Sequence, residues 1–126
     1  MARKNKVRIL TDGREGFFAR ARENARKLDR GEALPAEVTI TFENPGDMAQ
    51  ILSVERIRLL RAARQKGVTV SLLASNLKRD TRAVSRDIAK LETFGLLQTR
   101  YVSNPGHGRQ RIVEASAEKF QLVALI

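Results

Sequence analysis

The sequence predicts an α+β fold in which a helix–turn–helix and a basic hairpin follow a strand–helix–strand extension. Three observations predict it. Two helical stretches flank a short polar turn between Ser71 and Leu97. The segment from Leu96 to Ala115 reads as two alternating strands around a tip of Asn, Pro and Gly residues. Ahead of both, residues 1–44 alternate, take up helical spacing, and alternate again. The expected division is an extension, 1–44, for dimerisation or partner binding, and a second domain, 45–126.

Val7 and Ile9 alternate with polar neighbours and predict a short strand ended by Thr11-Asp12-Gly13. Over residues 14–30, Phe18, Ala21, Ala25 and Leu28 fall on one helical stripe at i, i+3, i+7 and i+10 with Phe17 beside it. Gly31 is the expected stop, and Pro35 prevents resumption. Glu37 to Phe42 alternates with Val38, Ile40 and Phe42 on one face, a strand signal. Asn44 can cap a short helix that Pro45 opens, carrying Met48, Ile51 and Leu52. Ser53 then caps a helix expected to reach about Lys66 and stop at Gly67, with Ile57, Leu60 and Ala63 inside.

Ser71 is the expected cap of the next helix, whose inner face is Leu73, Ala74 and Leu77. Ala74 is small enough to let a following helix cross closely. After Lys78-Arg79, Asp80 caps a helix over 81–93 with Val84, Ile88 and Leu91 inside, and Gly95 ends it. The terminal run from Phe120 to Ile126 is apolar to its end and reads as a buried strand or part of a dimer sheet.

The charge narrows the function. Of 126 residues, 24 are Lys or Arg and 14 Asp or Glu, a net +10, with one His and no Cys. The absence of Cys excludes disulfides and thiolate metal sites. No apolar run approaches the ~20 residues a membrane span needs, and the basic start MARKNKVRIL lacks the apolar region of a signal peptide, so a cytoplasmic location is expected. A chain this basic seeks an anionic partner, nucleic acid first. The excess is uneven: +6 over residues 1–30, −4 over 31–52 and +8 over 53–126.

The face of the 81–93 helix opposite its apolar stripe carries Arg82, Ser85, Arg86, Ala89 and Lys90. A helix that enters the major groove needs long donors near its N-terminus and no bulky apolar residue between them. On this reading Arg82, Ser85 and Arg86 read bases, Lys90, Arg79, Arg109 and Arg111 contact backbone, and Thr81 belongs to the DNA-binding set. The hairpin, over 96–115, carries Arg100, His107, Arg109 and Arg111, and stands where it reaches phosphates or the adjacent minor groove. His107 by itself is an ordinary exposed loop residue, and Tyr101 is expected to pack.

The run LASNLKRDTRAVSRDIAKLETFGLL, followed by this hairpin, resembles the winged helix-turn-helix of small prokaryotic MarR-like transcriptional regulators. Leu73-Ala74, Leu77, Val84, Asp87-Ile88, Leu91-Glu92 and Gly95-Leu96 occupy the motif positions. More loosely, the whole chain resembles a group of DNA-binding proteins encoded next to toxin genes, in which a helix and a strand ending in Phe precede the winged helix. One departure is Lys78, at a turn position where many helix-turn-helix motifs have Gly, so an altered turn is expected.

The resemblance implies a sequence-specific regulator of double-stranded DNA, a repressor and homodimer, with no cofactor. The alternative is an antitoxin that binds its toxin and autoregulates its operon. An RNA-binding role is weaker, because five Phe and one Tyr offer no exposed stacking platform. An enzyme is the weakest reading: no Cys nucleophile, second His or Walker-type glycine loop is present, so no catalytic or metal residue is assigned.

Overall fold

The structure, a computed structural model, describes residues 4–34, 36–106 and 108–125. Pro35 and His107, assigned roles above, lie outside the described residues. The elements run β1 (Lys4–Leu10), α1 (Gly13–Asp29), β2 (Glu37–Thr41), α2 (Pro45–Ile51), α3 (Val54–Ala62), β3 (Val68–Thr69), α4 (Val70–Leu77), α5 (Thr81–Thr93), β4 (Leu97–Asn104), β5 (Gly108–Ala115) and β6 (Ala117–Val123). They form two units: Met1–Gln50 with Lys119–Ile126, and Ile51–Glu118. The sequence reading put the joint at 44/45 and kept the chain end with the second domain. The end joins the first unit because β6 lies beside β1 in a sheet of order β2-β1-β6.

In the first unit β1 and β2 are parallel, with Val7 opposite Val38 and Ile9 opposite Ile40. Parallel neighbours need a crossover, which α1 supplies. The turn into α1 is fixed by charge: Arg20 reaches Asp12 at the turn and Thr41 at the end of β2. Gly16 leaves room for this, since a Cβ there would collide with the Asp12 carboxylate. Gly31, at φ +76°, ends α1 as expected; Glu32 N–H donates to the Lys27 carbonyl and Gly31 N–H to that of Leu28.

The apolar stripe of α1 is largely exposed. Phe17, Phe18 and Leu28 are about half exposed, at 53%, 49% and 58%, and Gly13 is the buried residue of the helix. The reason lies in the sheet. Val7 and Ile9 are buried on one face of β1, and alternation turns Arg8 to the other. There Arg8, Glu37 and Thr39 meet Arg20, Asn24 and Lys27 of α1 across a cavity of about 350 Å³. Phe17 and Ala21 line the same cavity, so on the sheet side of α1 polar and apolar side chains are mixed. The chain end departs from expectation. It is a strand, but Leu122 and Leu125 are exposed at 39% and 55%, and the Leu125 backbone is held by the buried Thr11 hydroxyl, which accepts from its N–H at 2.7 Å.

The second unit is a winged helix. Antiparallel β4 and β5 pair from Leu97–Ala115 to Asn104–Gly108, and β3 adds Val68 opposite Val113 and Thr69 opposite Ile112. Leu59, Leu73, Val84, Ile88, Leu91 and Val113 are fully buried at its centre. Each such side chain contributes roughly 1.5–3 kcal/mol.

Local signals held in part. Asn44 accepts from Asp47 N–H at 2.9 Å and Ser53 from Arg56 N–H at 3.3 Å, so both caps form. The cap of α4 is Thr69 instead of Ser71: the helix starts two residues earlier, and the Thr69 hydroxyl accepts from Leu72 N–H at 3.1 Å. Asp80 holds the N-cap position of α5 without a side-chain hydrogen bond. The third helix ends at Ala62, short of Lys66, because Ala63 is buried and its carbonyl accepts from Ala115 N–H at 3.1 Å. The altered turn expected at Lys78 does not occur. Lys78 takes the left-handed conformation itself, φ 54° and ψ 47°, and so keeps the geometry a glycine would give.

Candidate nucleic-acid interface

The amphipathic order of α5 positions the candidate site. Val84, Ile88 and Leu91, one stripe of the helix, are completely buried. Thr81, Arg82, Arg86, Ala89 and Lys90 are consequently exposed and Ser85 half-buried. Among the described residues, Arg82, Arg86, Lys90 and the exposed Lys78 form no ion pair. The charges of Arg82, Arg86 and Lys90 stand uncompensated along the outer face of α5.

Two other predicted contacts are used differently. The Arg79 side chain is 19% exposed and lies 2.8 Å from Asp87 and 3.6 Å from Glu55. Asp87 also receives Arg56 at 3.0 Å, and Arg56 donates to the Ile51 carbonyl at 3.1 Å. One carboxylate on α5 thereby gathers a cation from α3 and a cation from the turn. Arg111 lies 3.6 Å from Glu92, whose other oxygen accepts from the Thr99 hydroxyl at 2.8 Å. Glu92 thus ties the end of α5 to both strands of the hairpin. Arg79 and Arg111 hold the scaffold of the face rather than projecting from it.

The sequence held a signal for this. Val84, Asp87, Ile88 and Leu91 follow i, i+3, i+4, i+7, so Asp87 shares the inward arc and needs a partner there. Arg100 is occupied too, 3.0 Å from Glu114.

At the wing, alternation puts Leu97, Thr99 and Tyr101 of β4 on one face with Ala115, Val113, Arg111 and Arg109 of β5. The inner half of that face is core and reaches Glu92 of α5. Its outer half carries Tyr101 and Arg109, with the guanidinium carbon 4.5 Å from the ring centroid. Tyr101, expected to pack, is 56% exposed and serves as a platform for Arg109. Cross-strand register was the missing information: Arg109 is diagonal to Tyr101, a spacing the linear sequence does not display.

The family model HVO_A0114 matches residues 51–120, more than half of the chain. The chain belongs to the HVO_A0114 family. The matched stretch takes in the whole winged-helix unit of this HVO_A0114 member, Ile51–Glu118. No curated protein matches it. Among solved structures, it is similar to a possible transcriptional regulator from Methanosarcina mazei, at 19% identity and TM-score 0.48, covering 54% of this chain and 61% of that one. It is also similar to a MarR protein from Peptoclostridium difficile, at 15% identity and TM-score 0.45, covering 79% and 54%. A third is the transcriptional regulator SlyA, at 17% identity and TM-score 0.44, covering 79% and 61%. The match thus spans about three-fifths or less of the length of each of these chains. No helix among the described residues of the HVO_A0114 protein is long and apolar enough to cross a membrane.

Proposed function

We propose that this HVO_A0114 member is a sequence-specific regulator of double-stranded DNA, acting as a homodimer and repressing transcription. The observation that carries it is the outer face of α5, where Arg82, Arg86 and Lys90 are exposed and, among the described residues, free of ion pairs around the small Ala89. Arg82 and Arg86 read base edges with Thr81 and Ser85 beside them, bidentate Arg on guanine being the commonest specific contact. Lys78 and Lys90 neutralise phosphates, and Arg109, steadied by Tyr101, extends the contact from the wing. Arg79 and Arg111 support the face from inside. The winged-helix unit carries thirteen basic and six acidic residues, a net +7 of the chain's +10, which fits a polyanionic partner.

Selection from a random duplex pool tests the reading. The wild-type chain enriches a defined motif, and a reporter behind that motif falls silent when the protein is present. A pool that stays unenriched contradicts sequence-specific binding; an enriched motif with a reporter that rises contradicts repression. The antitoxin alternative adds a toxin to the same DNA-binding role, and no feature of the described residues favours it.

A further inference from the structure

Much of the +6 charge of residues 1–30, which the DNA-binding reading leaves unused, gathers around the cavity between α1 and its sheet. The sequence of α1 makes that cavity. Gly13, Gly16, Arg20, Asn24 and Lys27 follow helical spacing along one flank of the helix. Gly13 is buried and its N–H donates to the Phe42 carbonyl at 3.1 Å, so α1 starts hard against the end of β2. The residues further along the flank are long. A space of about 350 Å³ opens between them and Arg8, Glu37 and Thr39. Pockets for small molecules begin at about this size, ~300 Å³.

The acids of the cavity are already matched. Glu37 lies 3.4 Å from Lys6 and 3.6 Å from Arg8, and Glu23 lies 3.2 Å from Arg26 and 3.7 Å from Arg30. Arg20 is held by Asp12 and Thr41. The half-buried Lys27 has no ion pair or side-chain hydrogen bond among the described residues. The Asn24 amide and the Thr39 hydroxyl, which line the same space, are also unengaged among them. An ammonium and two neutral donors thus line the cavity without acceptors, and Phe17, Ala21 and Leu34 supply its apolar wall. The helical rise sets Phe17 about 15 Å from Lys27 along α1. Between them the lining passes from apolar at Phe17 and Ala21 to polar at Asn24 and Lys27.

We propose that this cavity binds a small organic monocarboxylate with an extended apolar body. The carboxylate accepts from Lys27, Asn24 and Thr39, and the body lies against Phe17, Ala21 and Leu34. A cationic ligand would find both carboxylates taken. A phosphate would need the arginine fork of Arg20, which is occupied. The site is separate from the α5 face, so its failure leaves the DNA-binding reading standing.

Amide-resolved NMR titration of the full chain with octanoate tests it. Octanoate saturates the wild type and shifts amides over residues 17–27 and 37–39, and octanol binds about tenfold or more weakly. Lys27→Met keeps the stem, removes the charge and weakens octanoate by about the same factor. Its helical content stays that of the wild type, since Lys27 has no partner to lose. Ala21→Phe fills the cavity and abolishes octanoate binding. Leu28→Ser, at an exposed position outside the lining, leaves it unchanged. Octanoate that fails to saturate, that binds no tighter than octanol, or that binds K27M as tightly as the wild type overturns the proposal. Shifts centred on Phe18 and Leu28 and lost in L28S mean adsorption to the outer stripe, and overturn it too. Inorganic phosphate that shifts the same amides with the affinity of octanoate overturns the carboxylate assignment.

Discussion

The Asp87 carboxylate lies 2.8 Å from Arg79 and thereby fixes the turn of the helix–turn–helix to the helix that follows it. The same carboxylate holds Arg56 of α3 at 3.0 Å. Three segments of the second unit meet at one charge, and the side chains involved are mostly buried, Asp87 to 13% exposure. Replacing Asp87 with Asn keeps the shape and removes the charge, leaving two guanidinium groups facing each other with little solvent. The expected loss is about 1–3 kcal/mol of stability. Urea unfolding of D87N measures it; an unchanged midpoint with an unchanged slope contradicts the bracing role.

Lys78 makes a prediction of the opposite sign. A left-handed conformation costs a non-glycine residue roughly 1–2 kcal/mol, and glycine returns part of that as chain entropy. Lys78→Gly should therefore raise stability by about 0.5–1 kcal/mol. On the proposed function it also removes a phosphate contact, so thermal unfolding rises while DNA affinity falls. A variant less stable than wild type shows that the lysine side chain holds the turn.

The wing offers a graded test. Tyr101→Phe keeps the aromatic face under Arg109, and Tyr101→Ala removes it. The cation–π contact is worth about 0.5–1 kcal/mol at an exposed site. Y101A should weaken duplex binding two- to fivefold and Y101F should leave it unchanged, read by fluorescence anisotropy. Equal weakening by both variants would assign the effect to the hydroxyl instead.

The winged helix was legible in the sequence because its information is local. The stripe of Val84, Ile88 and Leu91, the stop at Gly95 and the Gly-rich hairpin tip each act within one element, and each stands where expected. What was not legible depends on pairing between distant segments. What lies against the α1 stripe could not be read, because periodicity identifies an apolar face without saying what lies opposite, and here Arg8 and Glu37 make the sheet side polar. The chain end joined β1 through a contact 114 residues apart, between Thr11 and Leu125. The roles of Arg79 and Arg111 turned on acids at Asp87 and Glu92 that a list of cations ignores. At the candidate site the helix face was readable, and the division of its arginines into free and braced was not.

The most direct test of the central claim is the salt dependence of duplex binding by wild type and by R82A/R86A. Each unpaired arginine on α5 should contribute about 1–3 kcal/mol if it reads a guanine. The double variant should bind a motif selected by the wild type at least thirtyfold more weakly, with discrimination against other duplexes largely lost. For the wild type, the logarithm of affinity should fall linearly with the logarithm of salt concentration, as counterions are released. Equal affinity, selectivity and salt slope for the two proteins would contradict the assignment of the α5 face to DNA.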